Sequence, residues 1–405
     1  MRRPLTMVTT ALIAAGIVAC GPPEMPPAAP SDDVAPPGAT GADAAPRAER
    51  SPQAPAGCTV SPPIKLRGKV PNASASVSAV LQGGTLWVFY MGRGKNELGD
   101  PMVLEVTNLD STSPTIAEHA LPFGNLGSSG ALTAYQGGVI GTYVGIDRKV
   151  TIFVEPGGSG RQSLATAPSD DTTTSGSIAV IGGRALVAFG ENEYGVHVGW
   201  FDPASMRFDG ALHKIGTGKV QQPTVAAAFG GMVFFSDFSD PKNTGVIRAQ
   251  LASGTSAPFV PVVLDGNRGS KLNATGGDGR AYLIFSGLGP PAPGASEPSS
   301  LMKLATLTDA QGHGKSVDLG APGWVAESAI QPTPWGAIAA FLDVRTGVSI
   351  AAVNREGALI GAPQPVTAEG ERARSPAVAV SDRTAYVVWN QMDDALLRMA
   401  AVRCK

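Results

Sequence analysis

One phrase recurs along this chain and constrains it more than any other feature: an apolar run, a tight polar turn, and a second apolar run closed by an aromatic. Its clearest statement is Ser375–Trp389, SPAVAVSDRTAYVVW. Aligned on the turn and the closing aromatic, the first four copies are Gly83-Gly84 to Phe89, Gly137-Gly138 to Tyr143, Gly182-Gly183 to Phe189 and Gly230-Gly231 to Phe235. The last three are Asp278-Gly279 to Phe285, Trp335-Gly336 to Phe341 and Asp382-Arg383 to Trp389. The mean step from Phe89 to Trp389 is 50 residues. Gly-Gly and Asp-Gly between apolar runs signal hairpins, because such turns need positive φ at one or both central positions.

Each period continues with two further short runs. In the third copy these are Val196–Asp202 and Phe208–Ile215; in the fourth, Val246–Leu251 and Phe259–Leu264. Four short antiparallel strands at a fixed period are the plan of a propeller blade. Gly, Pro and Asp interrupt the runs too often for helices, which argues against a helical solenoid. The chain has 51 Gly and 34 Pro, a composition suited to an all-β chain with many turns. Its 405 residues are long for one core, but a propeller adds a layer to its core with every blade. The expected fold is therefore an all-β, seven-bladed β-propeller of four-stranded antiparallel blades.

The N-terminus points to export. Arg2 and Arg3 precede a modest apolar run, Leu5–Val18, which is too short to span a bilayer. The run ends in Ile17-Val18-Ala19-Cys20, which resembles the lipobox of bacterial lipoproteins. That resemblance implies a signal peptide over 1–19, lipidation of Cys20 and a lipid anchor in the cell envelope; the alternative is an ordinary signal peptide cut elsewhere. Gly21, rather than Asp, follows the cysteine, which resembles lipoproteins sent to the outer membrane. Residues 20–57 are rich in Pro and Ala and nearly devoid of large apolar side chains, so they bury no core and read as a disordered tether. The propeller domain then spans 58–405.

Of three cysteines, lipidation of Cys20 leaves Cys58 and Cys404, which flank the repeats and admit one pairing. Export places them where disulfides persist, the alternative being two free thiols. The seventh repeat ends at Leu396–Cys404 without an outer strand, and Thr59–Lys69 is available to supply it. That pairing would close the ring, complete the last blade and bring Cys58 to Cys404.

A net charge of −2, with 31 Lys and Arg against 33 Asp and Glu, leaves no basic footprint for nucleic acid. The four histidines are scattered, no Gly-x-Ser-x-Gly elbow is present, and no spacing points to a metal or other cofactor. Catalytic residues are not assignable. In a propeller, the loops after the second and fourth strands share one face around the central channel, the default ligand site. Charge clusters here fall in those loops. Glu191, Asp237, Arg268, Asp343 and Arg345 are the candidate ligand-binding residues, against the plainer reading of a solvated rim.

The recurring SPAVAVSDRTAYVVW line resembles that of sialidase-like bacterial propellers over about residues 58–404. The resemblance implies the fold. The Ser-x-Asp-x-Gly-x-Thr-Trp boxes of sialidases do not occur, and their three arginines and tyrosine nucleophile have no counterparts assignable here. The double glycines resemble those of kelch repeats, without the Tyr and Trp that follow them there. The expected function is a lipid-anchored, monomeric binding or scaffolding module at the cell envelope, with a glycan or envelope protein as partner. The alternative is a hydrolase or lyase acting on glycans.

Overall fold

The structure, a computed structural model, describes residues 57–68, 77–92, 100–121, 130–144, 149–155, 163–167, 172–191, 195–215, 220–237, 246–251, 260–261, 269–277, 279–291, 298–322, 327–343, 345, 347–368 and 370–404. The signal segment, Cys20 and the tether lie outside the described residues. Arg50–Lys405 forms one compact unit. Among the described residues there is no helix, so none is long and apolar enough to cross a membrane.

The fold is an all-β propeller with four-stranded antiparallel blades. Among the described residues the strands group into seven antiparallel sheets; six are ordered as they run in sequence, and in the seventh Ala373–Val380, Thr384–Gln391 and Leu396–Cys404 are followed outward by the N-terminal strands Cys58–Val60 and Ile64–Gly68. The first sheet, Ser78–Gln82, Thr85–Gly92, Asp100–Thr107 and Thr115–Ala120, sets the pattern. The strand that opens each repeat hairpin is the innermost of its sheet and neighbours the corresponding strand of the next sheet. The cycle returns from Ala373–Val380 to Ser78–Gln82.

The repeat phrase is the inner hairpin of each sheet. Gly83 and Gly84 have φ of 59° and 82°, and Gly182 and Gly183 repeat this at 58° and 82°, the left-handed pair a two-residue hairpin demands. Other turns sit one residue earlier than the glycine pairs suggest. In the second copy Gln136 and Gly137 form the turn, in the fourth Phe229 and Gly230, and in the sixth Pro334 and Trp335. Register there follows burial of the closing aromatic, not placement of the glycines. Phe89, Tyr143, Phe189, Phe235, Phe285, Phe341 and Trp389 are each at most 1% exposed.

Second strands are covered on both faces by neighbouring sheets, so they read as unbroken apolar runs such as TLWVFYMG and GAIAAFLD. Outer strands alternate, as Thr115–Ala120 does. The core is accordingly layered. Seven apolar clusters are each filled from two adjacent sheets; one joins Val88 and Leu104 of the first sheet to Val388 and Met399 of the last.

The expected outer strands differ in detail. Phe208–Ile215 is two short pieces, Arg207–Phe208 and His213–Ile215, both paired with Val196–Asp202. Of Phe259–Leu264 only Val260–Pro261 is described as strand. At the chain's ends, Cys58–Val60 pairs antiparallel with Val402–Cys404, and Ile64–Gly68 pairs with Leu396–Met399. Cys58 and Cys404 are partners in register and form a disulfide.

Candidate ligand-binding channel

The seven inner strands surround a channel of about 780 Å³. Each inner strand is a sheet edge, paired on one side and facing the channel on the other. Edge strands leave a row of N–H and C=O groups for water or a ligand. Four of the seven carry a bulge at matching positions, between Thr174 and Ser177, Gln221 and Thr224, Ser270 and Asn273, and Arg374 and Ala377. Pro223 and Pro376 fall inside two of these bulges, where a missing N–H breaks no ladder bond.

A second pattern ties neighbouring inner strands together. Leu132 N donates to Ser78 Oγ at 3.0 Å, Val225 N to Ser177 Oγ at 3.1 Å, and Ala274 N to Thr224 Oγ1 at 3.0 Å. Asn273 Nδ2 reaches the Ser328 carbonyl at 2.7 Å. In the second sheet the corresponding residue is Ala131, which has no oxygen to offer. Its cross-strand partner Thr142 substitutes by donating to the Gly176 carbonyl at 2.9 Å.

Between the sixth and seventh sheets the tie is ionic. Glu327 accepts from Arg374 Nη1 at 2.8 Å through Oε1 and from Ser375 N at 2.5 Å through Oε2. The Glu327 side chain is 27% exposed and lines the channel.

The candidate residues named from sequence fall as follows. Glu191, Asp237 and Asp343 end the second strands Arg184–Glu191, Met232–Asp237 and Gly336–Asp343, so the fold sets them at equivalent points of three sheets. The Glu191 side chain and all of Arg268 lie outside the described residues. Asp237 is half-buried. Asp343 and Arg345 are brought together. Arg345 Nε and Nη2 donate to Asp343 Oδ1 and Oδ2 at 3.0 and 2.8 Å, and Nη2 also reaches the Gly320 carbonyl at 2.7 Å. The hydrogen bonds to Asp343, and its charge, raise the guanidinium pKa above its ordinary value. These bonds draw on the Nε and Nη2 edge of the fork and fix the loop, while the Arg345 side chain stays 58% exposed. Among the described residues no group of three or more His, Cys, Asp or Glu is placed to hold a metal ion.

The inner-strand hydroxyls and Glu327 went unnoticed in the sequence. Their signal is present: Ser78, Ser177 and Asn273 each stand five residues before the first turn residue of their hairpin. Hydropathy reading passes over such positions because Ser and Thr fit both strand and loop.

No protein-family model matches the chain. No curated protein matches it either. Solved structures do. The BP39L lectin from Burkholderia pseudomallei is 14% identical with a TM-score of 0.59, covering 82% of this chain and 96% of that one. The alpha-L-arabinanase of Penicillium chrysogenum, solved with arabinobiose, is 11% identical with a TM-score of 0.51, covering 85% and 98%. Raptor of Chaetomium thermophilum is 11% identical with a TM-score of 0.52, covering 87% of this chain but 29% of that one. At these identities the likeness is one of fold.

Proposed function

We propose that the protein is a binding propeller held at the cell envelope by a lipid on Cys20, most simply at the outer membrane. Its polar tether, residues 20–57, spaces the 58–405 domain from the bilayer. In this reading the seven sheets are seven blades of one closed, monomeric ring. The N-terminal strands complete the last blade, supported by the pairing of Cys58 with Cys404. The ligand is a glycan, free or carried on an envelope protein, seated at the channel mouth. Glu191, Asp237 and Arg268 are proposed as rim contacts around it.

The observation that carries the reading is the channel. A volume of about 780 Å³ is within the usual range for ligand sites, and hydroxyl, amide and backbone groups alternate there with aliphatic surface. Among the structures of similar fold, one is named a lectin and another was solved with a bound disaccharide. Binding is preferred to hydrolysis because Glu327 is the one carboxylate among the described lining residues, and glycoside hydrolysis ordinarily uses a pair.

Two experiments test it. Cys20→Ala is expected to move the protein from the membrane to the soluble fraction; retention in the membrane would contradict the anchor. Glycan-array screening of the Cys20→Ala protein is expected to give hits that Ser177→Tyr, which puts a bulky ring on the channel wall, weakens or abolishes. Hits that this change leaves at full strength in a folded variant would place the site elsewhere.

A further inference from the structure

We infer that the channel selects an uncharged, diol-bearing ligand, and that Glu327 is the residue that reads it. This rests on the channel being the binding site and goes further by naming the ligand class and a specificity determinant. Among the described residues that line the channel, Glu327 is the one ionisable side chain; the rest are Gly, Pro, aliphatic residues or the neutral polar residues Ser, Thr, Asn and Gln. An acidic sugar entering there would lose hydration without meeting a lining cation, and it would do so beside a carboxylate. Burying a charge unpaired is costly. Arg374, a cation beside the lining, is already paired to Glu327. A cationic ligand gains little, because Arg374 and the Ser375 N–H already balance the Glu327 charge.

A neutral polyol fits. Hydroxyls both donate and accept, matching inner edges that present N–H and C=O together. An ionised carboxylate has about four acceptor positions across its two oxygens. Two are used, by Arg374 and by Ser375, and the side chain remains partly open to the channel. Its two oxygens are spaced to accept from two adjacent hydroxyls. Leu81, Val180 and Val380, partly exposed among the lining residues, supply aliphatic surface for the C–H face of a sugar ring.

The test is calorimetric titration of the full chain in detergent micelles. The probes are neutral arabino-, xylo- and manno-oligosaccharides, set against oligogalacturonides and sialylated oligosaccharides of matched length. The account predicts binding by a neutral probe and none by the acidic ones. Glu327→Gln should weaken binding roughly tenfold to a hundredfold, the effect of losing a hydrogen bond to a charged group. Glu327→Asp keeps the charge beside Arg374 but shortens the reach, and should also lose affinity. Hydrogen exchange on the wild-type protein needs no variant: the 327–331 segment should gain protection when the neutral probe binds. Acidic probes binding as well as neutral ones would overturn the selectivity while leaving the channel reading intact. Neutral binding that leaves the 327–331 segment unprotected, or that a folded Glu327→Gln variant retains in full, would overturn the role of Glu327. Binding by no probe would overturn the channel reading itself.

Discussion

Each closing aromatic fills a layer between two sheets, and Phe89 shows how tightly. Its ring lies 6.4 Å from that of Phe153 in the next sheet, and a Cβ added to Gly130 would stand 2.7 Å from its Cδ1. Phe89→Ala should cost about 3–5 kcal/mol in denaturant unfolding. Gly130→Ala, which adds one methyl, should cost about 1–3 kcal/mol by overpacking. The aromatics were legible in the sequence because their spacing repeats. Gly130 was not, since its role is set by a ring in another sheet. Tyr90 is a second such residue: its hydroxyl donates to Glu118, which also pairs with Arg67. Burial first, then the hydrogen bond and charge of Glu118, raise the Tyr90 pKa above its ordinary value near 10. Burial raises that of Tyr386 as well, with Asp110 adding to the effect. A raised folded value means the stabilisation is complete below pH about 10 and declines as pH rises further. Thermal unfolding should therefore fall more steeply above pH 10 in the wild type than in a Tyr90→Phe, Tyr386→Phe variant. Equal slopes would contradict the assignment.

At the scale of the strand, the inner hairpins were the readable part of this chain and the outer strands the least readable. Second strands are covered on both faces, so hydropathy marks them without ambiguity. Outer strands such as Arg207–Phe208 and His213–Ile215 are short and half-exposed, and composition hardly separates them from loop. A central channel was expected from the propeller plan, but the residues that line it were not legible. It is lined by the inner edges of seven strands, and a sequence does not say which strand of a sheet is its inner edge. The ties between inner strands are testable. Ser177→Ala removes the acceptor of the Val225 N–H, a bond whose net worth is about 0.5–1.5 kcal/mol. Native-state hydrogen exchange should show the Val225 amide opening faster, while amides of the outer strand Gly314–Pro322 stay unchanged.

Over the whole molecule, the last sheet is where the two ends of the repeat region meet. Apolar residues of the first and last sheets share one cluster, and Arg403 reaches Asp110 across the same boundary at 3.0 Å. The disulfide joins residues 346 apart in sequence. Closing a loop of that length contributes about 5–6 kcal/mol in the chain-entropy model, an upper figure. Cys58→Ser with Cys404→Ser should lower stability by about 2–5 kcal/mol, read as a fall in the unfolding midpoint. That pairing was legible because two cysteines flank the repeats. The most direct measurement is a peptide map of the exported protein under non-reducing conditions. The account predicts one fragment in which the peptide carrying Cys58 is bonded to the peptide carrying Cys404. Free thiols at both positions, or Cys58 bonded to Cys20, would contradict it.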